Sequence, residues 1–229
     1  MLSLEQVLQL AEIVPERFRA LIMLATFGSL RFGEATALRR ADVNQDGSVI
    51  RVRATYVERS DGTIELGPPK SRAGMRTIGL PPFAAEVVRE HLKTRVGEPS
   101  DSLLFTGSTG GPLRRSGFNR AAKWPEAVAT IGVPNLHFHD LRHTGNTIAA
   151  STPGTSTRDL MNRMGHDSMR AALIYQHATR DADRRIAEGM EQQIRRATTG
   201  EASAIARSLH EPSQRAGRET GRDAAGPEL

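Results

Sequence analysis

The sequence predicts an α+β fold, mostly helical, with a small antiparallel β-sheet near residues 48–80. Three observations carry this expectation. Apolar residues recur at three- and four-residue intervals before residue 28 and again after Pro81, the period of a helix with one buried face. Between these regions "SVIRVRATYVE" alternates apolar with polar residues, and Asp61-Gly62 is a hairpin signal. At 229 residues the chain can also bury a real core, arranged as one or two domains.

Taken in order, Ser3 can cap a helix whose Leu4, Val7, Leu8 and Ala11 share one face. Pro15 suits the first turn of a second helix, "PERFRALIMLATFG", which breaks at Gly28. A short helix is expected after Arg31, through "GEATALRR". The alternating strand puts Ile50, Val52, Ala54 and Tyr56 on one face, and "TIEL" returns after the Asp61-Gly62 turn. "GPPKSRAGMRTIGLPP" reads as a turn and a third strand of the same sheet. After Pro81-Pro82 a helical pattern resumes with Phe83, Val87, Val88 and Leu92, and "LLFTG" is a short apolar element before a Gly-rich loop. From Arg114 to about Ala197 the pattern is helices separated by loops, so residues 1–197 are expected to form one domain. Residues 198–229 are polar and lack a sustained apolar face, the composition of a disordered tail.

Composition excludes several classes of function. With no cysteine, neither disulfides nor thiolate metal sites can form. No apolar run reaches the roughly 18 residues of a membrane span, and the N-terminus lacks the basic and apolar regions of a signal peptide, so a cytoplasmic protein is expected. The formal charge of +5 and a sequence pI near 10.3 lean toward a polyanionic partner.

The chemistry concentrates in "NLHFHDLRHTGNT", which holds three histidines and an arginine within seven positions. On a helix, His139 and Arg142 lie at i and i+3, and His143 at i+4 from His139. A metal reading would use the His139–His143 pair, but there is no Glu in the general-base position of zinc proteases, and Arg142 would set a positive charge beside the ion. A bland reading is a capped, solvated helix start. A phosphate reading uses both residue types: a guanidinium offers paired donors to two phosphate oxygens, and an imidazole adds a donor or a proton relay. Elsewhere the chain supplies Arg31 after a glycine-punctuated helix end, Lys70 between Pro69 and Ser71, and Gly165-His166 followed nine residues later by Tyr175.

The segments "SLRFGEATALRRADV", "PPKSRAGMRTIGLP", "HFHDLRHT" and "MGHDSMRAALIYQHA" carry Arg, Lys, His-x-x-Arg, Gly-His and Tyr in that order. This order resembles the catalytic domain of the tyrosine recombinases, the lambda-type phage integrase family. The resemblance implies that fold, with a site-specific DNA-rejoining activity that uses no cofactor or metal. It implies that Arg31 and Arg142 clamp the scissile phosphate and that Tyr175 is the nucleophile forming a 3′-phosphotyrosyl bond. Lys70 would protonate the leaving 5′-oxygen, His139 would handle the tyrosine proton or brace the phosphate, and His166 would donate to it. Glu34 would brace the arginines, while His137, His143 and His177 are expected to be structural or supporting.

Candidates for sugar–phosphate contacts are Arg39, Arg40, Arg51, Arg53, Arg72, Arg114, Arg115, Arg120 and Lys123. The expected partner is double-stranded DNA, with a homotetramer on DNA, a monomer in free solution, and accessory DNA-bending proteins. The setting would be bacterial or phage-encoded and nucleoid-associated. The family's usual N-terminal core-binding domain is expected to be absent. Two spellings depart from the family pattern, the extra residue in "GSLR" and the Thr152-Pro153 pair before "TRDLMNRMGH". Two alternatives stand beside the recombinase: an idle DNA-binding remnant, and a phosphodiesterase using a His139–His143 metal.

Overall fold

The first helix, α1 (Leu4–Ile13), begins where Ser3 accepts from the Gln6 N–H at 3.1 Å and Gln6 returns the bond to the Ser3 N–H at 2.9 Å. This reciprocal cap satisfies two N–H groups that a helix start leaves without partners. The computed structural model describes residues 1–165 and 190–191; His166, Tyr175 and the expected tail at 198–229 lie outside the described residues. Contacts divide the chain into units 1–177 and 178–229, and the architecture below belongs to the first.

The buried face of α1 is Val7, Leu10 and Ala11, whereas Leu4 is exposed. The expectation for Leu4 fails because the chain enters through Leu2, which is buried, with its N–H on Thr144 Oγ1 at 3.2 Å. Leu2 takes the core position that helical spacing assigns to the first turn. Pro15 precedes a tight 3-10 turn over residues 16–18, and α2 (Arg19–Phe27) follows as the buried centre of the domain, with Ala20 to Thr26 all inside. Next comes α3 (Phe32–Ala37).

The expected single sheet is instead two antiparallel pairs. The alternating segment splits into β1 (Val49–Val52) and β2 (Thr55–Glu58). β3 (Ile64–Gly67) returns to pair with β2, and β4 (Arg76–Gly79) pairs with β1. At the break, the Arg53 side chain turns to Asp42, with Nε 2.6 Å from Oδ1, and β2 leaves to lie on α3. Gly33 permits this crossing, because a Cβ there would overlap the Tyr56 carbonyl oxygen. Ile50 and Val52 are buried as expected; Ala54 and Tyr56 are only partly so.

α4 (Pro82–Arg95) buries Ala84, Ala85, Val88, His91 and Leu92, but Phe83 points outward. Then come α5 (Arg115–Ala121), α6 (Trp124–Thr130), α7 (Phe138–Ala150) and α8 (Thr157–Met164). Phe18, Phe32, Phe118, Trp124 and Phe138 form one aromatic cluster, with the Phe32 and Phe138 rings edge-on at 5.1 Å. Edge-to-face contacts of this kind add to the area they bury. Phe32 follows Arg31 and Phe138 precedes His139, so the cluster anchors both candidate segments.

Candidate active site

The two candidate arginines are placed by one unusual turn. Gly28 ends α2, and Ser29 then takes a left-handed conformation with φ 52°, uncommon for a residue with a Cβ. The turn sends Leu30 into the core and brings Arg31 to the N-cap position of α3. There the Arg31 N–H donates to Glu34 Oε2 at 3.0 Å, and its guanidinium reaches Glu34 Oε1 at 2.9 Å. The Arg31 side chain remains 42% exposed while that of Glu34 is 2% exposed. Burial pushes the Glu34 carboxyl upward, but the hydrogen bonds and charges of Arg76 and Arg31 outweigh it and hold the group below its ordinary value.

Arg142 and His139 come from α7. The helix starts where the Asp140 carboxylate accepts from the His137 N–H at 2.8 Å, a cap at the positive end of the dipole. His137 itself is exposed, and its ring Nδ1 lies 3.8 Å from the same carboxylate that its backbone N–H caps. Gly145 lets α7 meet α2 backbone to backbone, because a Cβ there would overlap the Thr26 carbonyl oxygen. Arg142 is therefore buried, and its guanidinium donates to the carbonyls of Ser29 and Met164. The His139 and His143 rings meet edge-on at 4.9 Å. His139 is held below its ordinary value by burial first, then by the charges of His143, Arg142 and Arg31, with Asp140 opposing. His139 is exposed all the same, so its ring is open to a phosphate or a proton donor arriving from solvent.

Lys70 is exposed, in the turn between β3 and β4. Arg51, Arg72, Arg120 and Lys123 are exposed, and Arg115 stacks over Phe32 at 4.6 Å. Arg114 ties α5 to the β2–β3 hairpin through Glu58 at 2.8 Å and the Gly62 carbonyl at 2.6 Å. Arg39 donates to the Asp101 carbonyl at 2.5 Å and Arg53 pairs with Asp42. Arg40 is committed to the C-terminal end of α4, donating to the carbonyls of Leu92, Val96 and Gly97 at 2.7–2.9 Å. Its guanidinium completes a helix end. Among the described residues no three His, Cys, Asp or Glu side chains come together as metal ligands.

Arg76 escaped the sequence reading as part of the site. Its side chain is 5% exposed and bridges Glu34 to three backbone carbonyls. A signal was present: Arg76 and Ile78 alternate on one face of the third strand, and Ile78 is a core residue. An arginine on the inward face of a strand needs buried acceptors.

The described residues thus form an α+β frame in which Arg31, Arg142 and the buried Glu34 carboxylate are tied together through Arg76 and the Ser29 carbonyl. The chain belongs to the phage integrase family, which it matches over residues 1–181. It is 37% identical over 186 residues to a putative prophage phiRv2 integrase of Mycobacterium tuberculosis, covering 81% of this chain and 49% of that protein. With the integrase of Mycobacterium phage L5 it shares 36% over 178 residues, 76% of this chain and 47% of the relative. The chain thus spans about half the length of these curated relatives. In fold it is similar to the Tn1549 transposon integrase, solved in complex with transposon right end DNA, with TM-score 0.69 and 20% identity over 83% of this chain and 65% of that one. Among the described residues no helix is long and apolar enough to cross a membrane.

Proposed function

We propose that this chain carries the catalytic centre of a site-specific recombinase that breaks and rejoins double-stranded DNA through a 3′-phosphotyrosyl intermediate. The observation that carries the reading is the meeting of two separate elements: Arg142, one turn along α7 from His139, donates to the carbonyl of Ser29, two residues before Arg31. In the proposed step the Tyr175 oxygen attacks the scissile phosphorus and gives up its proton to His139. The bond from phosphorus to the 5′-oxygen breaks, and Lys70 protonates that oxygen. Arg31 and Arg142, with His166, stabilise charge growing on the non-bridging oxygens. One phosphodiester is exchanged for another, so the bond energy is retained and a second 5′-hydroxyl can reverse the step, as in a type IB topoisomerase. The two arginines supply the charge that metal ions bring to other phosphoryl-transfer sites.

Arg51, Arg72, Arg115, Arg120 and Lys123 would hold the sugar–phosphate backbone, and pairing of two sites would require a homotetramer on DNA. Arg39, Arg40, Arg53 and Arg114 are left out of that group because each is engaged within the fold, by the Asp101 carbonyl, the end of α4, Asp42 and the β2–β3 hairpin respectively. The test uses a pool of nicked duplexes of randomised sequence that trap the covalent intermediate. The wild-type chain should give a denaturant-resistant adduct through the 3′-phosphate, also in excess EDTA, and Tyr175→Phe should give none. An adduct that persists in the Phe variant sinks the assignment; loss of the wild-type adduct on chelation, with recovery on adding zinc, returns the histidine pair to a metal role.

A further inference from the structure

We propose that Arg76, a residue of β4 with no place in the cleavage step itself, is a positioning residue that sets the catalytic arginines. The inference rests on the reading of the site given above. The Arg76 side chain is 5% exposed and lies where four parts of the site meet. Its terminal nitrogens reach the Glu34 carboxylate at 2.9 and 3.3 Å, the same carboxylate that holds Arg31 at 2.9 Å. One of them also reaches the Ser29 carbonyl at 3.3 Å, which accepts from Arg142 as well. Its Nε donates to the Arg163 carbonyl at 2.9 Å, near the end of α8, and Nη1 to the Gly74 carbonyl at 3.0 Å.

Each of these acceptors adjoins a different working group. Glu34 holds Arg31, and Ser29 holds Arg142. Gly74 closes the turn that begins just after Lys70, and Arg163 lies three residues before His166. Gly165 is packed so closely that a Cβ there would come 2.9 Å from Arg76 Nη1 and 3.1 Å from the Ala73 carbonyl. Its left-handed φ of 62° ends α8 against the arginine. Arg76 is thus a common reference for the two phosphate clamps and for the chain leading to His166.

The planar guanidinium is what this node requires. Its donors point in several fixed directions, and here they meet acceptors on the α2–α3 turn, α3, α8 and the β3–β4 turn. Lysine could neutralise Glu34, but an ammonium is a point donor on a flexible stem and cannot span the same set. Arg76→Lys therefore keeps the charge and loses the alignment. A misplacement of the order of 1 Å at a phosphoryl centre costs roughly a hundredfold in rate.

The test compares the full chain with Arg76→Lys, Arg76→Gln, Glu34→Gln and the Arg76→Gln/Glu34→Gln double variant. Adduct formation by the wild type, absent in Tyr175→Phe, is established first; its failure would overturn the recombinase reading and leave the node geometry untouched. Single-turnover cleavage is then followed at saturating DNA, well below each variant's melting temperature, with circular dichroism confirming the fold. Arg76→Lys should cleave roughly a hundredfold more slowly, with DNA affinity within about twofold of wild type. The loss in the double variant should be smaller than the product of the two single losses, because both act through Arg31. A folded Arg76→Lys that cleaves at the wild-type rate overturns the proposal. So do single losses that multiply in the double variant, or a loss confined to DNA affinity.

Discussion

The two strand pairs have similar lengths and opposite energetics. In β1–β4 the inward residues Ile50, Val52 and Ile78 are buried in the core. In β2–β3, Val57 and Leu66 are exposed, at 46% and 49%, and the pair is fastened by α3 beneath it and by Arg114 at its tip. A two-stranded hairpin is marginal in water on its own and borrows stability from what it packs against. One pair is therefore framework and carries Arg76. The other is an attachment that leads through β3 to the turn bearing Lys70. Arg76 and Lys70 therefore stand on structures with different support, the first on a strand packed into the core and the second on an exposed turn.

The largest effect should come from the core of the framework pair. Ile78→Ala should cost about 2–5 kcal/mol, the range for truncating a buried isoleucine, while Leu66→Ala should stay within about 0.5 kcal/mol. Urea unfolding of both variants measures the gap, and equal losses would erase the distinction between the sheets. Next is Gly33→Ala, which drives a methyl into the Tyr56 carbonyl and should cost about 1–3 kcal/mol, typical of overpacking. Because the clash displaces β2 from α3, amide exchange should rise most across residues 55–67, and exchange rising equally in α2 would argue against a separable attachment.

A smaller effect is set by pH and acts on the framework side alone. His91 is buried on α4, stacks on Phe105 at 4.8 Å, and has Nε2 2.7 Å from the Leu104 carbonyl oxygen. Burial, the largest influence, holds its folded value below the ordinary 6.5 although the carbonyl contact opposes it. The unfolded chain then binds the proton more readily, so this stability is present above about 6.5 and is lost as the pH falls toward the lower folded value. His139, depressed in the same direction, adds to the slope. Melting temperatures measured from pH 7.5 to 5 should fall, and less steeply in His91→Gln; parallel curves would remove His91 from the account. Smallest of all, Arg114→Ala should cost about 0.2–1 kcal/mol, as exposed ion pairs do, and should loosen exchange only near the Asp61-Gly62 turn.

Much of this was legible in the sequence, for local reasons. The cap at Ser3, the Asp61-Gly62 turn and the i, i+3, i+4 placement of His139, Arg142 and His143 each depend on a few neighbouring residues. What escaped depended on distant partners. Leu4 fits the helical stripe, but Leu2 occupies the core position. Alternation runs through residues 48–58 without a visible break, and only the crossing over α3 at Gly33 divides it. Arg40 reads as a surface cation until the end of α4 arrives to take its donors. The extra residue in "GSLR" looked like a minor loop change, whereas its left-handed serine turns a carbonyl to both Arg76 and Arg142.

The contact between Gly145 and Thr26 has a mechanical consequence. Two helices that meet through side chains have a compressible layer between them, and can slide or tilt by repacking rotamers. Here the main chains touch with nothing in between, so α2 and α7 share a hard stop. Arg142 sits three residues before that stop and Arg31 five residues beyond it, which makes their separation a gauge length fixed by backbone geometry. Any give between the parts of this domain is then expected away from that contact, in the β2–β3 hairpin whose Val57 and Leu66 are exposed.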